Sequence, residues 1–247
     1  MIVENKDGYA IVKFDRPEKL NALNLKTRND MISILRKLNA DPTVKSVILT
    51  GEGRGFCVGA DLSEMVEDIY ADLKYTFQPI IKEIRNPNKL YISAINGVVA
   101  GACLGIVLST DFRISRKDVK FVTAFQRIGL TSDTGVAYFL AKLVGVKSYD
   151  LLILGGEFTA EDAEKWGLVK ISEDPLSDAV KLAQRISAGP FLTYVAGKKM
   201  VNKILFEDMD DFLEYEALLQ SELGKTEDFK EGVQSFIEKR EPKYKGR

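Results

Sequence analysis

Gly51-Glu52-Gly53-Arg54-Gly55-Phe56-Cys57-Val58-Gly59-Ala60-Asp61-Leu62 is the stretch that decides how this chain reads. It follows directly on Ser46 to Thr50, a short β-rich run, and precedes a helical stretch containing Phe77, Ile80, Ile81 and Ile84. Strand, glycine loop and helix then recur. A second strand, Leu90 to Ile95, runs into the glycine segment Asn96 to Gly105, and a third, Asp111 to Ser115, precedes the segment Gly129 to Gly135. This alternation points to an α/β architecture, not a bundle or a sandwich. Glycine at a strand end permits a positive φ or close approach of the backbone to a bound group, and such loops are where α/β proteins place ligands. Neither a P-loop nor a G-x-G-x-x-G fingerprint is present, so phosphate cradling by those routes has no support.

Upstream, Ile2 to Glu4 and Tyr9 to Phe14 read as a hairpin around Asp7-Gly8. Met31, Ile34, Leu35 and Leu38 recur at helical spacing within Leu25 to Leu38, and Asp41-Pro42 closes that helix. Downstream of Gly135 the character turns helical: 136 to 143, 148 to 154, 160 to 166 and 176 to 188. Gly189-Pro190 then punctuates the chain, and 191 to 239 read as helix, with Phe212, Tyr215, Leu218, Leu219 and Leu223 tracing an apolar face. The expected division is a core over 1–188 and a helical region over 189–247.

Composition narrows the chemistry. An apolar fraction of 45% and a charged fraction of 29% are those of a globular protein. A net charge of −1 offers no field for nucleic acid or an anionic membrane, and no apolar run reaches the roughly 20 residues of a membrane span. With no basic leader visible, a cytoplasmic location is expected. Cys57 and Cys103 lie far apart in no C-x-x-C pattern and read as small buried hydrophobes. The chain contains no histidine, which removes Ser-His-Asp and Cys-His nucleophiles and His-based zinc sites. Acid-base work falls to Asp, Glu, Lys, Tyr or Cys, and no metal is expected.

Five segments, in order, carry a resemblance. Asp15-Arg16-Pro17-Glu18-Lys19-Leu20-Asn21-Ala22-Leu23-Asn24, the Gly51 to Leu62 loop, Ala94-Ile95-Asn96-Gly97-Val98-Val99-Ala100-Gly101-Ala102, Glu161-Asp162-Ala163 with Trp166-Gly167-Leu168-Val169, and Glu231-Gly232-Val233 with Phe236 to Arg240 resemble landmarks of the crotonase (enoyl-CoA hydratase/isomerase) superfamily. The resemblance implies a spiral of ββα units with a C-terminal helical trimerisation region, assembled as a homotrimer or a homohexamer. It implies an acyl-CoA substrate with no further cofactor, coenzyme A being part of the substrate. The backbone N–H groups of Ala60 and Ala102 are implied to converge on the thioester oxygen. Lys19, Ala22, Gly59, Asp61, Leu62 and Gly101 are implied at the CoA site, with Arg16, Lys239 and Arg240 toward its phosphates.

Relatives that hydrate enoyl-CoA use two glutamates; alignment on the family pattern puts Gly105 and Phe125 at those positions. A carboxylate stands instead at Asp133, in Leu130-Thr131-Ser132-Asp133-Thr134-Gly135, where isomerases of the phenylacetate type carry their catalytic aspartate. The expected activity is isomerisation of an enoyl-CoA with Asp133 as base and Phe125 as a wall of the acyl pocket. Read from the residues alone, Asp133 is equally a helix N-cap. The alternatives are a hydratase or hydrolase using Glu64, Glu67 or Asp68 on a helix from Leu62 to Tyr70, and a noncatalytic acyl-CoA-binding or RNA-binding homologue. A dehalogenase-like reading ranks below these, since those relatives also rely on a histidine.

Overall fold

The computed structural model describes residues 1–64, 67–86 and 88–247. The Asp7-Gly8 turn, with Gly8 at φ +80°, joins β1 (Ile2–Lys6) and β2 (Tyr9–Phe14) as an antiparallel pair. Helix α1 (Leu25–Ala40) starts where the Asn24 side chain accepts the Thr27 N–H at 2.9 Å, and its buried stripe includes Met31, Ile32, Leu35 and Leu38. It returns the chain to β3 (Ser46–Gly51), which pairs parallel with β2. Then β5 (Leu90–Ile95), β7 (Phe112–Ser115) and β10 (Lys170–Ile171) extend the same sheet in parallel, in the order β1-β2-β3-β5-β7-β10.

Strands β3, β5 and β7 each lead into a strand that belongs to a second sheet. These are β4 (Gly55–Cys57), β6 (Val98–Ala100) and β8 (Lys120–Thr123), completed by β9 (Gly156–Thr159), in the order β4-β6-β8-β9. Helices close the units: α2 (Ile69–Asp72) and α3 (Gln78–Ile84) after β4, α4 (Ala102–Ser109) after β6, and α5 (Val136–Val144) after β8. The result is the expected spiral of ββα units. The glycine segments at 51–61 and 96–105, read from sequence as loops, thus each hold a strand of three residues, too short to display an alternating pattern.

All eight residues of α4 are buried, which explains its uninterrupted apolar sequence. On the outer face of the first sheet, α8 (Pro175–Ala188) packs Ala179, Ala183 and Ile186 against Ile11, Ile48 and Ile92. Helix α6 (Tyr149–Ile153) precedes β9, and α7 (Ala160–Lys165) follows it. The C-terminal region is α9 (Phe191–Leu205), α10 (Met209–Leu223) and α11 (Glu227–Glu238). Lys198 pins α9 to the core: its buried ammonium donates to the Ile84 and Lys89 carbonyls at 2.9 and 2.8 Å and pairs with Asp111 at 2.9 Å. Among the described residues no helix is long and apolar enough to cross a membrane.

One expectation needs correcting. Cys57 and Cys103 are fully buried, but they are joined in a disulfide, their Cα atoms 5.7 Å apart. Their 46-residue separation concealed this because β4 and α4 belong to consecutive units stacked on one another. The apolar face expected on α10 is left uncovered within the single chain. The buried stripe is Leu213, Glu216, Ala217 and Gln220, at i, i+3, i+4 and i+7, while Tyr215 and Leu218 are 58% and 50% exposed.

Candidate active site

Two asparagines, Asn21 buried and Asn96 half-buried, organise the loops. After the single turn Pro17–Lys19, Leu20 and Asn21 adopt left-handed φ of 49° and 60°. That conformation swings the Asn21 side chain inward, where Oδ1 accepts the Arg16 N–H at 2.8 Å and Nδ2 donates to the Gly55 and Glu52 carbonyls at 2.8 and 3.0 Å. Asn96 does the same one layer on, donating to the Gly51 and Gly53 carbonyls at 2.9 Å each and accepting the Gly51 N–H at 3.2 Å. The Asn21 bond to the Gly55 carbonyl is buried, and leaving that carbonyl unpaired would cost about 1–3 kcal/mol.

The residues expected at the CoA site divide into two sets. Arg16 and Asp61 face each other: one guanidinium nitrogen donates to Asp61 Oδ2 at 2.9 Å, another to the Ala22 carbonyl at 2.7 Å. The Asp61 carboxyl is held below its ordinary range, first by the Ser63 hydroxyl and then by Arg16, against the opposing effect of desolvation. These two charges therefore clamp the 16–22 turn onto the 59–61 loop. Lys19 is exposed on that turn, Ala22 is buried beneath it, and Leu62 is half-buried at the start of the turn Leu62–Glu64. Lys239 is exposed at the C-terminal end of α11, and Arg240 is engaged by Glu231 and Glu238.

Gly59 brings the loop that carries Ala60 against the start of α4. Leu23 and Ala60 form an isolated parallel bridge in which Leu23 donates to the Gly59 carbonyl at 2.8 Å and accepts from the Asp61 N–H at 3.1 Å. In a parallel bridge this pattern turns the N–H of the residue between, Ala60, to the opposite side. Gly59, at φ +94°, comes so close that a Cβ on it would sit 3.3 Å from the Ala102 nitrogen. Ala102 is the first residue of α4, so its amide has no intrahelical acceptor and carries the positive end of the helix dipole. Two unspent amides at adjoining loops are suited to an oxyanion. Beneath them runs the disulfide: Cys57 lies three residues before Ala60, Cys103 follows Ala102, and Gly59 N–H donates to Cys103 Sγ at 3.2 Å.

The Gly105 position is closed to a side chain by geometry. A Cβ on Gly105 would collide with the Thr134 carbonyl, so α4 and the 130–135 loop touch backbone to backbone. Phe125 is buried, its ring tip 4.0 Å from where a Cβ on Gly101 would be. Asp133 lies within the touching loop, 9% exposed. Thr134 Oγ1 donates to its Oδ1 and Gln220 Nε2 to its Oδ2, each at 2.8 Å. Burial is the largest influence on this carboxyl and pushes its pKa up to about 6, although both hydrogen bonds oppose the rise.

The N-cap reading of Asp133 is not what the structure shows. Helix α5 begins at Val136 with Gly135 as its cap, and the Gly135 N–H donates to both oxygens of Glu216 at 3.0 and 3.1 Å. Of the alternative carboxylates, Asp68 caps α2 by accepting the Ala71 N–H at 2.9 Å, Glu64 accepts from Asn24 at 3.2 Å, and Glu67 is exposed. The helix expected from Leu62 to Tyr70 is instead the turn Leu62–Glu64 followed by α2; its Met65 and Val66 lie outside the described residues. Glu216 and Gln220 escaped the sequence reading. Their signal was two polar residues in register with Leu213 and Ala217 on one helical face.

A family model described as Enoyl-CoA hydratase/isomerase matches residues 4–247. The 1,2-epoxyphenylacetyl-CoA isomerase of Escherichia coli (strain K12) is 30% identical over 251 residues, covering 97% of this chain and 96% of its own. A probable enoyl-CoA hydratase of Rhodobacter capsulatus is 32% identical over 251 residues, covering 99% and 97%. Among solved structures, an enoyl-CoA hydratase from Mycobacterium avium subsp. paratuberculosis K-10 superposes with a TM-score of 0.89 at 27% identity, covering 99% of this chain and 98% of its own.

Proposed function

Since this chain belongs to the enoyl-CoA hydratase/isomerase family, we propose that it shifts the double bond of an enoyl-CoA thioester, with Asp133 as the base and the Ala60 and Ala102 amides as the oxyanion hole. The observation that carries this reading is the placement of one buried carboxyl, Asp133, in the loop that touches α4 where Gly105 leaves room. A single carboxylate suffices for isomerisation. Asp133 takes the C2 proton of a 3-enoyl-CoA, the electron pair delocalises onto the thioester oxygen, and the same carboxyl returns the proton at C4 to give the 2-enoyl-CoA. Each amide aimed at the developing oxyanion is worth about 3 kcal/mol. A base with a pKa of about 6 is ionised at neutral pH yet stronger than an exposed aspartate.

The CoA moiety is proposed to lie along the 16–22 turn and the 59–62 loop, contacted by Lys19, Ala22 and Leu62 and shaped by the Arg16–Asp61 pair. The 189–247 region is proposed to mediate assembly into a trimer or hexamer. Asp133→Asn tests the mechanism: it keeps size and removes the base. Conversion of a 3-enoyl-CoA to the 2-enoyl-CoA should fall by at least about 100-fold, with acyl-CoA binding preserved. Wild-type enzyme in deuterated water should exchange the α-proton alongside isomerisation. Rapid water addition to a 2-enoyl-CoA that survives Asp133→Asn would refute the reading and favour the hydratase one.

A further inference from the structure

Asp133 takes one of its hydrogen bonds from outside its own loop. Gln220, fully buried on α10, donates from Nε2 to Asp133 Oδ2 at 2.8 Å and accepts the Thr131 N–H on Oε1 at 3.1 Å. A backbone N–H only donates, so Thr131 fixes the amide with its oxygen on the backbone and its NH2 on the carboxylate. Helix α10 is itself pinned at this place. The Leu213 carbonyl accepts from Gln78 at 2.7 Å, and Glu216, one turn before Gln220, accepts the Gly135 N–H at 3.0 Å. The loop held in this way is strained, since Thr134 is β-branched and adopts a left-handed φ of 53°. Thr134 supplies the other donor, its hydroxyl to Asp133 Oδ1 at 2.8 Å.

We propose that Gln220 is the positioning residue of the base: its amide holds Asp133 in one orientation and favours the ionised carboxylate, so the C-terminal helical region completes the catalytic centre of its own chain. This rests on the isomerase reading above. A neutral amide suits the role, because it donates to the carboxylate yet brings no second charge into a buried site. A carboxylate with a donor on each oxygen cannot turn about its Cβ–Cγ bond without breaking both bonds, and proton transfer between two carbons depends on that fixed angle. Burial raises the Asp133 carboxyl, and the two donors oppose the rise. The charged and titratable groups facing this loop have partners of their own. Arg28 and Asp72, from α1 and α2, pair at 2.9 Å; Tyr138 and Lys142, from α5, both bond to Asp208; Glu216, from α10, accepts from Gly135; and α4 presents none. Gln220 takes part in none of these bonds, so replacing it leaves them in place.

The test is the pH dependence of isomerisation in Gln220→Met, which keeps the length of the side chain and removes the donor. The acid limb of kcat/KM should move up from about pH 6 by about one unit, because the ionised form of Asp133 loses a hydrogen bond. On the plateau above the limb kcat should fall by about 10-fold or more, and KM should change little. The direction separates this role from a structural one: a merely loosened loop admits water to Asp133 and moves the limb down. The ¹³C titration of the Asp133 carboxyl, which involves no turnover, should rise with the limb. A folded Gln220→Met that binds acyl-CoA with its limb unmoved or lowered overturns the proposal. Should that variant fail to fold, Gln220→Asn, which withdraws the same amide by one methylene, decides by the same readings. Isomerisation that survives Asp133→Asn removes the base itself, whereas an essential Asp133 with an unmoved limb in the Gln220 variant overturns only the role given to Gln220.

Discussion

Opening the Cys57–Cys103 bond should remove a large share of the protein's thermal margin. The bond spans 46 residues, and on the chain-entropy account closing a loop of that length withholds about 4 kcal/mol from the unfolded state. For a chain of 247 residues that corresponds to a fall in Tm of roughly 8 to 16 °C. Neither sulfur is exposed, so a reductant reaches them only when β4 and α4 separate, and reduction under native conditions should be slow. The assay compares calorimetric scans of the oxidised chain with those of a chain reduced in denaturant and refolded under reductant. Cys57→Ala with Cys103→Ala should reproduce the reduced value. The bond also ties the two segments that present Ala60 and Ala102, so reduced enzyme should lose turnover while retaining most of its affinity for acyl-CoA. Two free thiols per chain in denatured, unreduced protein would refute the reasoning, as would an unchanged Tm on reduction.

Gly105→Ala should destabilise the fold and lower isomerisation together, because the added methyl meets the Thr134 carbonyl, a backbone atom that moves only with the Asp133 loop; denaturant melts and kinetics on one preparation check this. The pH dependence of stability has a definite sign. With Asp133 raised from 3.8 to about 6, the folded chain retains a proton that the unfolded chain releases, so this contribution, about 3 kcal/mol at most, is complete below about pH 4 and is lost as pH rises through 6. Activity should rise over the same interval, and Asp133→Asn should flatten the stability slope in urea melts at stepped pH. Light scattering should find a trimer or hexamer, since α9 leaves Leu192, Met200, Val201 and Ile204 exposed; a stable monomer at micromolar concentration would count against assembly through this region.

The Asp7-Gly8 hairpin, the buried stripe of α1 and the glycine loops at strand ends were legible because each depends on neighbours within a few residues. A positive φ, a helical period and a turn are local requirements, and residue types declare them. The α/β class followed, and so did the vacancy at Gly105, a single position aligned within a motif. The short strands of the second sheet were not legible, since three residues carry no period. Nor was the disulfide, whose partners meet only because β4 and α4 stack in consecutive units. Arg16 looked free to meet phosphate until the fold placed Asp61 beside it. Glu216 and Gln220 stood unremarked in a helical run until α10 docked over the loop preceding α5. Local sterics wrote the elements and the glycine loops into the chain; which polar groups share a buried site depends on distances between segments some 80 residues apart, and only tertiary packing sets those.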